Sequence, residues 1–241
     1  MKRRELKDGI TVALLSCKEE KNLKILIPQI IDTVSDQDYE ILVVDTAVPM
    51  DNTADVCREY GARYVNQRYP GFGGAFRTAI RCARHATFLI LDSDGSHSPK
   101  YIPDMLRMFH SGAYDVVIGS RYVRGGHTED AASSVVMSRI LNTVYRIALG
   151  LKAHDISTDF RVYHTEQLKT VKLRNQNYDV LQEVLLKLKL QNGGSLRIGE
   201  VPITFGKRIY GDSKRRLLPF IMSYIRTLFQ LTLLRISSGR S

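Results

Sequence analysis

Phe88-Leu89-Ile90-Leu91 runs without a break into Asp92-Ser93-Asp94-Gly95-Ser96, and no other stretch narrows the fold so far. A short, uniformly apolar run suits a strand buried on both faces of a parallel sheet, with helices covering each face. Open sheets of that kind bind ligands outside the carboxyl ends of their strands. The two aspartates, one residue apart, fall at such an end. Two hard oxygen ligands there suit Mg²⁺ or Mn²⁺, which take a few carboxylates and leave places for phosphate oxygens. Asp-Ser-Asp-Gly is also ordinary turn chemistry for closing a strand, so the motif alone leaves both readings open.

Strands and helices alternate around this run. Ile10 to Leu15 and Ile41 to Val44 read as buried strands, the second ending at Asp45. Between them Leu23, Ile27, Ile30, Ile31 and Val34 recur at helical spacing, with Pro28 expected to kink or shorten the helix. Asn52 or Thr53 can cap a helix to Tyr60 that Gly61 stops, and Arg63 to Val65 makes a brief third strand. Pro70-Gly71-Phe72-Gly73-Gly74 opens a helix running through Arg84. Beyond the central strand the pattern predicts a helix from about Pro103 to His110, a strand over Asp115 to Gly119, and an amphipathic helix from Ser138 to Leu149. A strand from Phe160 to Tyr163, a helix from Val180 to Leu190 and a strand from Leu196 to Ile203 complete it. The fold class is therefore α/β, a Rossmann-like, mostly parallel sheet wound with helices on both faces. A chain of 241 residues has room for one good core with an appendage. Residues 1–205 read as that domain and 206–241 as a separate segment.

The glycine-rich turn is no dinucleotide fingerprint. Gly71-Phe72-Gly73-Gly74-Ala75-Phe76 lacks the G-x-G-x-x-G spacing and lies in the third unit, and no G-x-x-x-x-G-K-[ST] occurs anywhere. Backbone N–H groups at this helix start, that of Gly73 among them, can still meet phosphate; the other reading is a tight turn with close helix packing. Ser120-Arg121-Tyr122-Val123-Arg124-Gly125-Gly126 makes a second glycine-bearing loop, this one basic, at a strand's end.

The net charge of +10 implies an anionic partner: nucleic acid, a phosphorylated substrate or a membrane surface. No RNA-binding signature and no aromatic interleaving accompany the basic residues, which argues against nucleic acid. Cys17, Cys57 and Cys82 are scattered and odd in number, as reduced thiols in a cytosolic setting would be. The amino terminus lacks the apolar core of a signal peptide, and no run of about 18 apolar residues predicts a membrane span.

The last forty residues change character. Lys207, Arg208, Lys214, Arg215 and Arg216 crowd the start of this segment, and Leu217 to Ile236 follows, strongly apolar. Read as a helix with Pro219 in its first turn, it carries a polar stripe at Arg216, Ser223, Arg226, Thr227 and Gln230. A basic amphipathic helix of this kind suits the membrane interface. The competing expectation is a helix packed on the domain or on the same helix of a homodimer partner.

Taken in order, these motifs resemble family 2 glycosyltransferases of the GT-A fold, specifically the dolichol- or polyprenol-phosphate sugar synthases. The similarity runs from about Ile10 to Lys214. Asp92-Ser93-Asp94 with His97-Ser98-Pro99 is similar to the family's Asp-x-Asp metal motif and trailing His-x-Pro. Ile118-Gly119-Ser120-Arg121-Tyr122-Val123-Arg124-Gly125-Gly126 resembles its I-G-S-R-Y-x-x-G-G segment. Gln182 to Lys187 and Glu200 to Phe205 match as well, and Phe205 to Lys214 follows the acceptor-loop pattern F-x-x-R-x-x-G-x-S-K. Three places depart from the pattern. The usual Pro-x-Tyr-Asn-Glu opening is Leu15-Ser16-Cys17-Lys18-Glu19; the Gln that often completes the metal shell is Ser96; and the usual Ser-Gly-Phe is Thr158-Asp159-Phe160.

The resemblance implies a metal-dependent, inverting transfer from a GDP- or UDP-sugar. Asp92 and Asp94, with Ser96, would hold Mg²⁺ or Mn²⁺ against the departing diphosphate. Ser16, Glu19 and Asp45 would read the base and ribose, and Gly73 and Arg121 would contact phosphate, with a structural salt bridge the other role open to Arg121. The implied acceptor is a polyprenyl phosphate, dolichyl or undecaprenyl. Its second pKa lies near 6, like that of other phosphate monoesters, so it is a nucleophile at neutral pH without a dedicated base. It then needs cations to position it, and Arg208, Ser213 and Lys214 supply a fork, a hydroxyl and a point charge. The expected location is the cytoplasmic face of a membrane, peripherally bound. Two alternatives stand beside this: a family 2 enzyme with a glycan or other hydroxyl acceptor, for which Asp159 is a candidate base, and a non-catalytic, membrane-docked partner protein.

Overall fold

The computed structural model describes residues 6–211 and 217–238. In chain order it holds β1 (Lys7–Leu15), α1 (Glu20–Val34), β2 (Tyr39–Asp45), α2 (Thr53–Glu59), β3 (Arg63–Asn66), α3 (Phe72–Cys82), β4 (His85–Asp92), α4 (Ile102–His110) and β5 (Val116–Ser120). There follow β6 (His127–Thr128), α5 (Ala132–Leu149), β7 (Arg161–His164), α6 (Thr165–Thr170), α7 (Val180–Gln191), β8 (Ile198–Pro202), β9 (Thr204–Phe205) and α8 (Leu217–Ser238). Seven strands form one sheet in the order β3-β2-β1-β4-β7-β5-β8, and β6 and β9 pair apart from it. Every neighbour in the large sheet is parallel except β7, which runs against both β4 and β5.

β4 occupies the middle, and its pleat explains the unbroken apolar run. Phe88 and Ile90 enter a core with Phe76, Tyr145, Val184 and Leu185. Leu89 and Leu91 enter the opposite core with Leu23, Ile27, Met105 and Phe109. Successive side chains of a strand point to opposite faces, so a strand covered on both sides has no polar position to spare.

Three local expectations need correction. α1 runs through Pro28 without a break. The ring removes one helical hydrogen bond, a cost of about 3 kcal/mol or more, but Leu23, Leu26, Ile27, Ile30 and Val34 anchor the helix on both sides of it. α3 ends at Cys82 rather than Arg84, because Ala83 turns extended to start the crossing into β4. α5 starts at Ala132, six residues before the expected Ser138.

α8 packs on the domain. The Tyr145 hydroxyl donates to the Tyr224 carbonyl, and Ser223 and Thr227 of the polar stripe donate to the Asp179 carboxylate at 2.9 and 2.5 Å. Arg235 closes the far end by donating to the carbonyls of Ile147 and Ala148 at the end of α5. The polar stripe therefore faces the protein in part, and Ile225, Phe229, Leu233 and Ile236 are left outward. Among the described residues no helix is long and apolar enough to cross a membrane.

Candidate active site

Parallel register brings the ends of four strands to one edge. Asn66 lies level with Asp45, and Leu15 is level with both Val44 and Asp92. Strand order reverses direction about β1, which opens a crevice at the carboxyl ends of β1 and β4.

On the β2 side of that crevice Asp45 is fully buried. One carboxylate oxygen accepts the Thr46 N–H at 2.7 Å and the other accepts the Tyr64 hydroxyl at 2.9 Å. Asn66 Nδ2 donates to the Tyr64 oxygen at 3.0 Å and to the Thr46 carbonyl at 2.7 Å. Burial, then the hydrogen bond to Asp45, push the Tyr64 phenol up to about 12. Ser16 Oγ, buried at the end of β1, has no hydrogen-bond partner among the described residues. Lys18 takes a left-handed conformation at φ 58°, an uncommon one for a side chain of this size.

The turn after β4 holds its two aspartates around Ser96, whose hydroxyl lies 3.5 Å from Asp92 Oδ2, but gives them different further partners. Asp94 Oδ1 accepts the Ser96 N–H at 2.9 Å and the Ser96 hydroxyl at 2.5 Å. Its Oδ2 lies 2.9 Å from Arg208 Nη2. Asp92 Oδ2 instead lies 3.3 Å from His97 Nδ1, which is 3.5 Å from Asp159 Oδ1. Ligand atoms of Asp92, His97 and Asp159 all fall within 4.8 Å of one another. His97 Nδ1 also accepts the Asp92 N–H at 3.2 Å, so the proton belongs on Nε2, which meets Thr158 Oγ1 at 3.2 Å. Burial holds the imidazole below its ordinary pKa despite Asp92. Burial, then the charge of Asp92, hold the Asp159 carboxyl well above the carboxylate range.

Residues 206–210 close over this turn. Gly206 N–H donates to the Ser96 carbonyl at 2.9 Å and Ile209 N–H to the Asp94 carbonyl at 3.0 Å. Asn22 and the Tyr210 backbone exchange bonds of 2.9 and 3.1 Å. Gly95, at φ 83°, takes a left-handed conformation that favours glycine, and a Cβ there would sit 2.4 Å from Ile209 Cδ1 unless that side chain shifted. Arg208 spans the crevice, with Nη1 2.7 Å from Glu19 Oε1 and Nη2 on Asp94. Asn22 Nδ2 holds the second Glu19 oxygen at 2.5 Å.

Asp92, Asp94, Ser96, Glu19 and Arg208 thus come together, and Ser16 and Asp45 line the same edge. Two residues expected at phosphate do other work. Arg121 forms a buried, two-pronged ion pair with Asp155 at 2.7 and 2.9 Å and also reaches Ser157, which is its salt-bridge role. Gly73 donates its N–H to the Gln176 carbonyl at 2.8 Å and packs against Asn175, so it serves a close turn. Ser213 and Lys214 lie outside the described residues. Sequence reasoning did not find Tyr64 and Asn66, whose strand gave no chemical signal. It knew His97 only as a motif residue and Asp159 only as a candidate base.

A strand-end carboxylate pair with a basic loop folded on top, on a mostly parallel sheet, fits the nucleotide-dependent sugar transferases of the GT-A type. The model of the family described as Glycosyl transferase family 2 matches residues 11–172, and the chain belongs to that family. It is 30% identical over 231 residues to a dolichol-phosphate mannosyltransferase from Pyrococcus furiosus, an alignment covering 92% of this chain and 63% of that protein. It is 27% identical over 210 residues to a dolichyl-phosphate hexose transferase from Haloferax volcanii, covering 86% of each. The fold is similar to that of glucosyl-3-phosphoglycerate synthase from Mycobacterium tuberculosis, crystallised with Mn²⁺ and uridine diphosphate, at a TM-score of 0.70 and 20% identity over 95% of this chain and 80% of that one. The same synthase has been crystallised with Mg²⁺ and uridine diphosphate.

Proposed function

We propose that this glycosyltransferase moves one sugar, with inversion, from a GDP- or UDP-sugar to a polyprenyl phosphate at a membrane surface. The observation that carries the reading is the placement of Arg208. Its fork lies on Asp94 and Glu19, so the basic loop and the strand-end carboxylates share one site. Both named relatives support the same acceptor class.

The donor set fits a hard divalent cation, Mg²⁺ or Mn²⁺, because carboxylate oxygens converge at a strand end partly open to solvent. Bound there by Asp92 and Asp94, such an ion supplies Lewis-acid neutralisation of the departing diphosphate. Asp45, held rigid by Tyr64 and Thr46, and the unpartnered Ser16 hydroxyl face the base and ribose. A phosphate acceptor needs no base, and the chain's own task is to position it. Arg208, Ser213 and Lys214 do so, which requires Arg208 to leave Asp94 and Glu19 as the donor complex fills the crevice. A hydroxyl acceptor would need Asp159 as base, but that carboxyl lies buried beneath His97 with about 5% of its side chain exposed.

Membrane attachment has two helices to draw on. Val136, Met137, Ile140, Val144 and Ile147 of α5 are exposed, as are Ile225, Phe229, Leu233 and Ile236 of α8, and the two helices pack together. Apolar faces of this kind, with basic residues nearby, suit peripheral attachment to an anionic leaflet such as the cytoplasmic one. A homodimer through α8 would cover the same face. Residues 206–241 form the acceptor loop and this attachment helix, and 1–205 the transferase domain.

The test separates donor from acceptor. Removing one charge-assisted contact to a partly desolvated phosphate costs about 1.5–3 kcal/mol, on the order of tenfold to a hundredfold in kcat/KM for the lipid phosphate. Lys214→Ala and Arg208→Lys should show that loss with donor nucleotide binding within a few-fold of wild type. Full rescue of both variants by a short, water-soluble polyprenyl phosphate would mean the basic run only tethers the protein.

A further inference from the structure

Asp159 is a buried acid to which the reading above gives no task. Its side chain is about 5% exposed, and among the described residues the only basic group within 4 Å is the His97 ring. That ring is neutral in this arrangement, because Nδ1 accepts the Asp92 N–H. A second carboxylate, Asp92, shares the same pocket. A buried carboxylate beside another, with only the through-space charge of Arg161 to offset it, is costly to keep. Two carboxylates converging on one pocket, with His97 Nδ1 already engaged by the Asp92 N–H, describe a place for a cation.

Ser96, meanwhile, makes its shorter bond to Asp94. Its hydroxyl donates to Asp94 Oδ1 at 2.5 Å and reaches Asp92 Oδ2 only at 3.5 Å. Both Asp94 oxygens are occupied as well, one by Ser96 and one by Arg208. The group that faces Asp92 across the pocket is Asp159.

We infer that Asp159, not Ser96, is the further protein ligand of the divalent cation, which Asp92 and Asp159 hold between them while His97 fixes their orientation. His97 can do so because its other nitrogen is tied to Thr158, whose hydroxyl oxygen also accepts the Phe160 N–H at 3.3 Å. The ring sits between Phe160 and Phe205, with centroids 5.1 and 5.0 Å away, and cannot swing out without disturbing both. Thr158 and Asp159 thus act together, one orienting the imidazole and one meeting the ion. The inference rests on the metal-dependent reading above and assigns that site an additional ligand.

The experiment measures metal binding directly. Mn²⁺ is titrated into the full chain with uridine or guanosine diphosphate present, by calorimetry and by the electron paramagnetic resonance signal of free Mn²⁺. Asp159→Asn should bind Mn²⁺ at least tenfold more weakly than wild type, and Ser96→Ala should stay within about threefold. Thermal unfolding supplies a second readout with a distinctive sign. Without metal, Asp159→Asn should melt at or above the wild-type temperature, because one of two crowded carboxylates is gone, and the upward shift that Mn²⁺ gives the wild type should shrink. Asp159→Ser serves the same purpose should the amide variant fold poorly. Equal Mn²⁺ affinity in wild type and Asp159→Asn, or a lower melting temperature with an intact Mn²⁺ shift, would overturn the assignment. No Mn²⁺ binding by the wild type itself, with nucleotide present, would instead remove the metal-dependent reading on which it stands.

Discussion

Arg121 and Arg208 carry the same guanidinium, and their surroundings give them different work. Arg121 meets Asp155, a fully buried carboxylate, through two parallel bonds. Burial alone would raise the pKa of that carboxyl, but the Arg121 hydrogen bond and charge outweigh it and hold it below the ordinary value. Arg121→Ala would leave Asp155 buried without its cation, a change that costs about 3–5 kcal/mol, measurable by denaturant unfolding. The pH dependence follows from the depressed pKa. Asp155 contributes stability above the unfolded carboxylate value of about 4, and that stability is lost as pH falls through the folded value. The gap between wild type and Arg121→Ala should therefore narrow below about pH 4; a constant gap would show that the ion pair is not its source. Sequence could name Arg121 as a cation at a strand's end but could not see Asp155, 34 residues on, brought against it. Arg208, Glu19, Asp92 and Asp94 were legible because each belongs to a motif. Tyr64 and Asn66 were not, because their role comes only from the register of β3 beside β2.

At the level of elements, periodicity located nearly every strand and helix, since a strand buried on both faces and a one-sided helix leave different apolar patterns. It could not give β7 its direction. Arg161–His164 is too short to carry a pattern of its own, and only the path from β5 through α5 makes it run antiparallel between β4 and β5. Nor could it say that α8 turns Ser223 and Thr227 toward Asp179, because a polar stripe in a sequence reads as a solvated face. That orientation leaves Ile140 of α5 and Phe229 of α8 exposed, at 54 and 66%. Each apolar side chain buried in a bilayer interface contributes about 1.5–3 kcal/mol. The double variant Ile140→Asp, Phe229→Asp should bind anionic vesicles at least tenfold more weakly in co-sedimentation while keeping its circular dichroism spectrum. Unchanged vesicle binding, together with loss of a concentration-dependent dimer, would assign the face to self-association.

Across the whole molecule the charge of +10 suits the proposed reaction, whose donor and acceptor both carry phosphate. Basic residues near an anionic surface contribute about 1 kcal/mol each and are screened within a Debye length of roughly 10 Å. Vesicle binding should accordingly weaken as salt rises, while binding of nucleotide inside the crevice changes less. The account as a whole rests on where the sugar goes. Nucleotide sugars labelled in the sugar, carried on uracil or guanine, can be given to the full chain with Mn²⁺ and vesicles containing a polyprenyl phosphate, and the products partitioned between solvent and water. The account predicts label in the lipid fraction as a sugar linked through phosphate, abolished by chelator and restored by added Mn²⁺. Label released only as free sugar or joined to a water-soluble hydroxyl acceptor, with the lipid phosphate unlabelled, would contradict it.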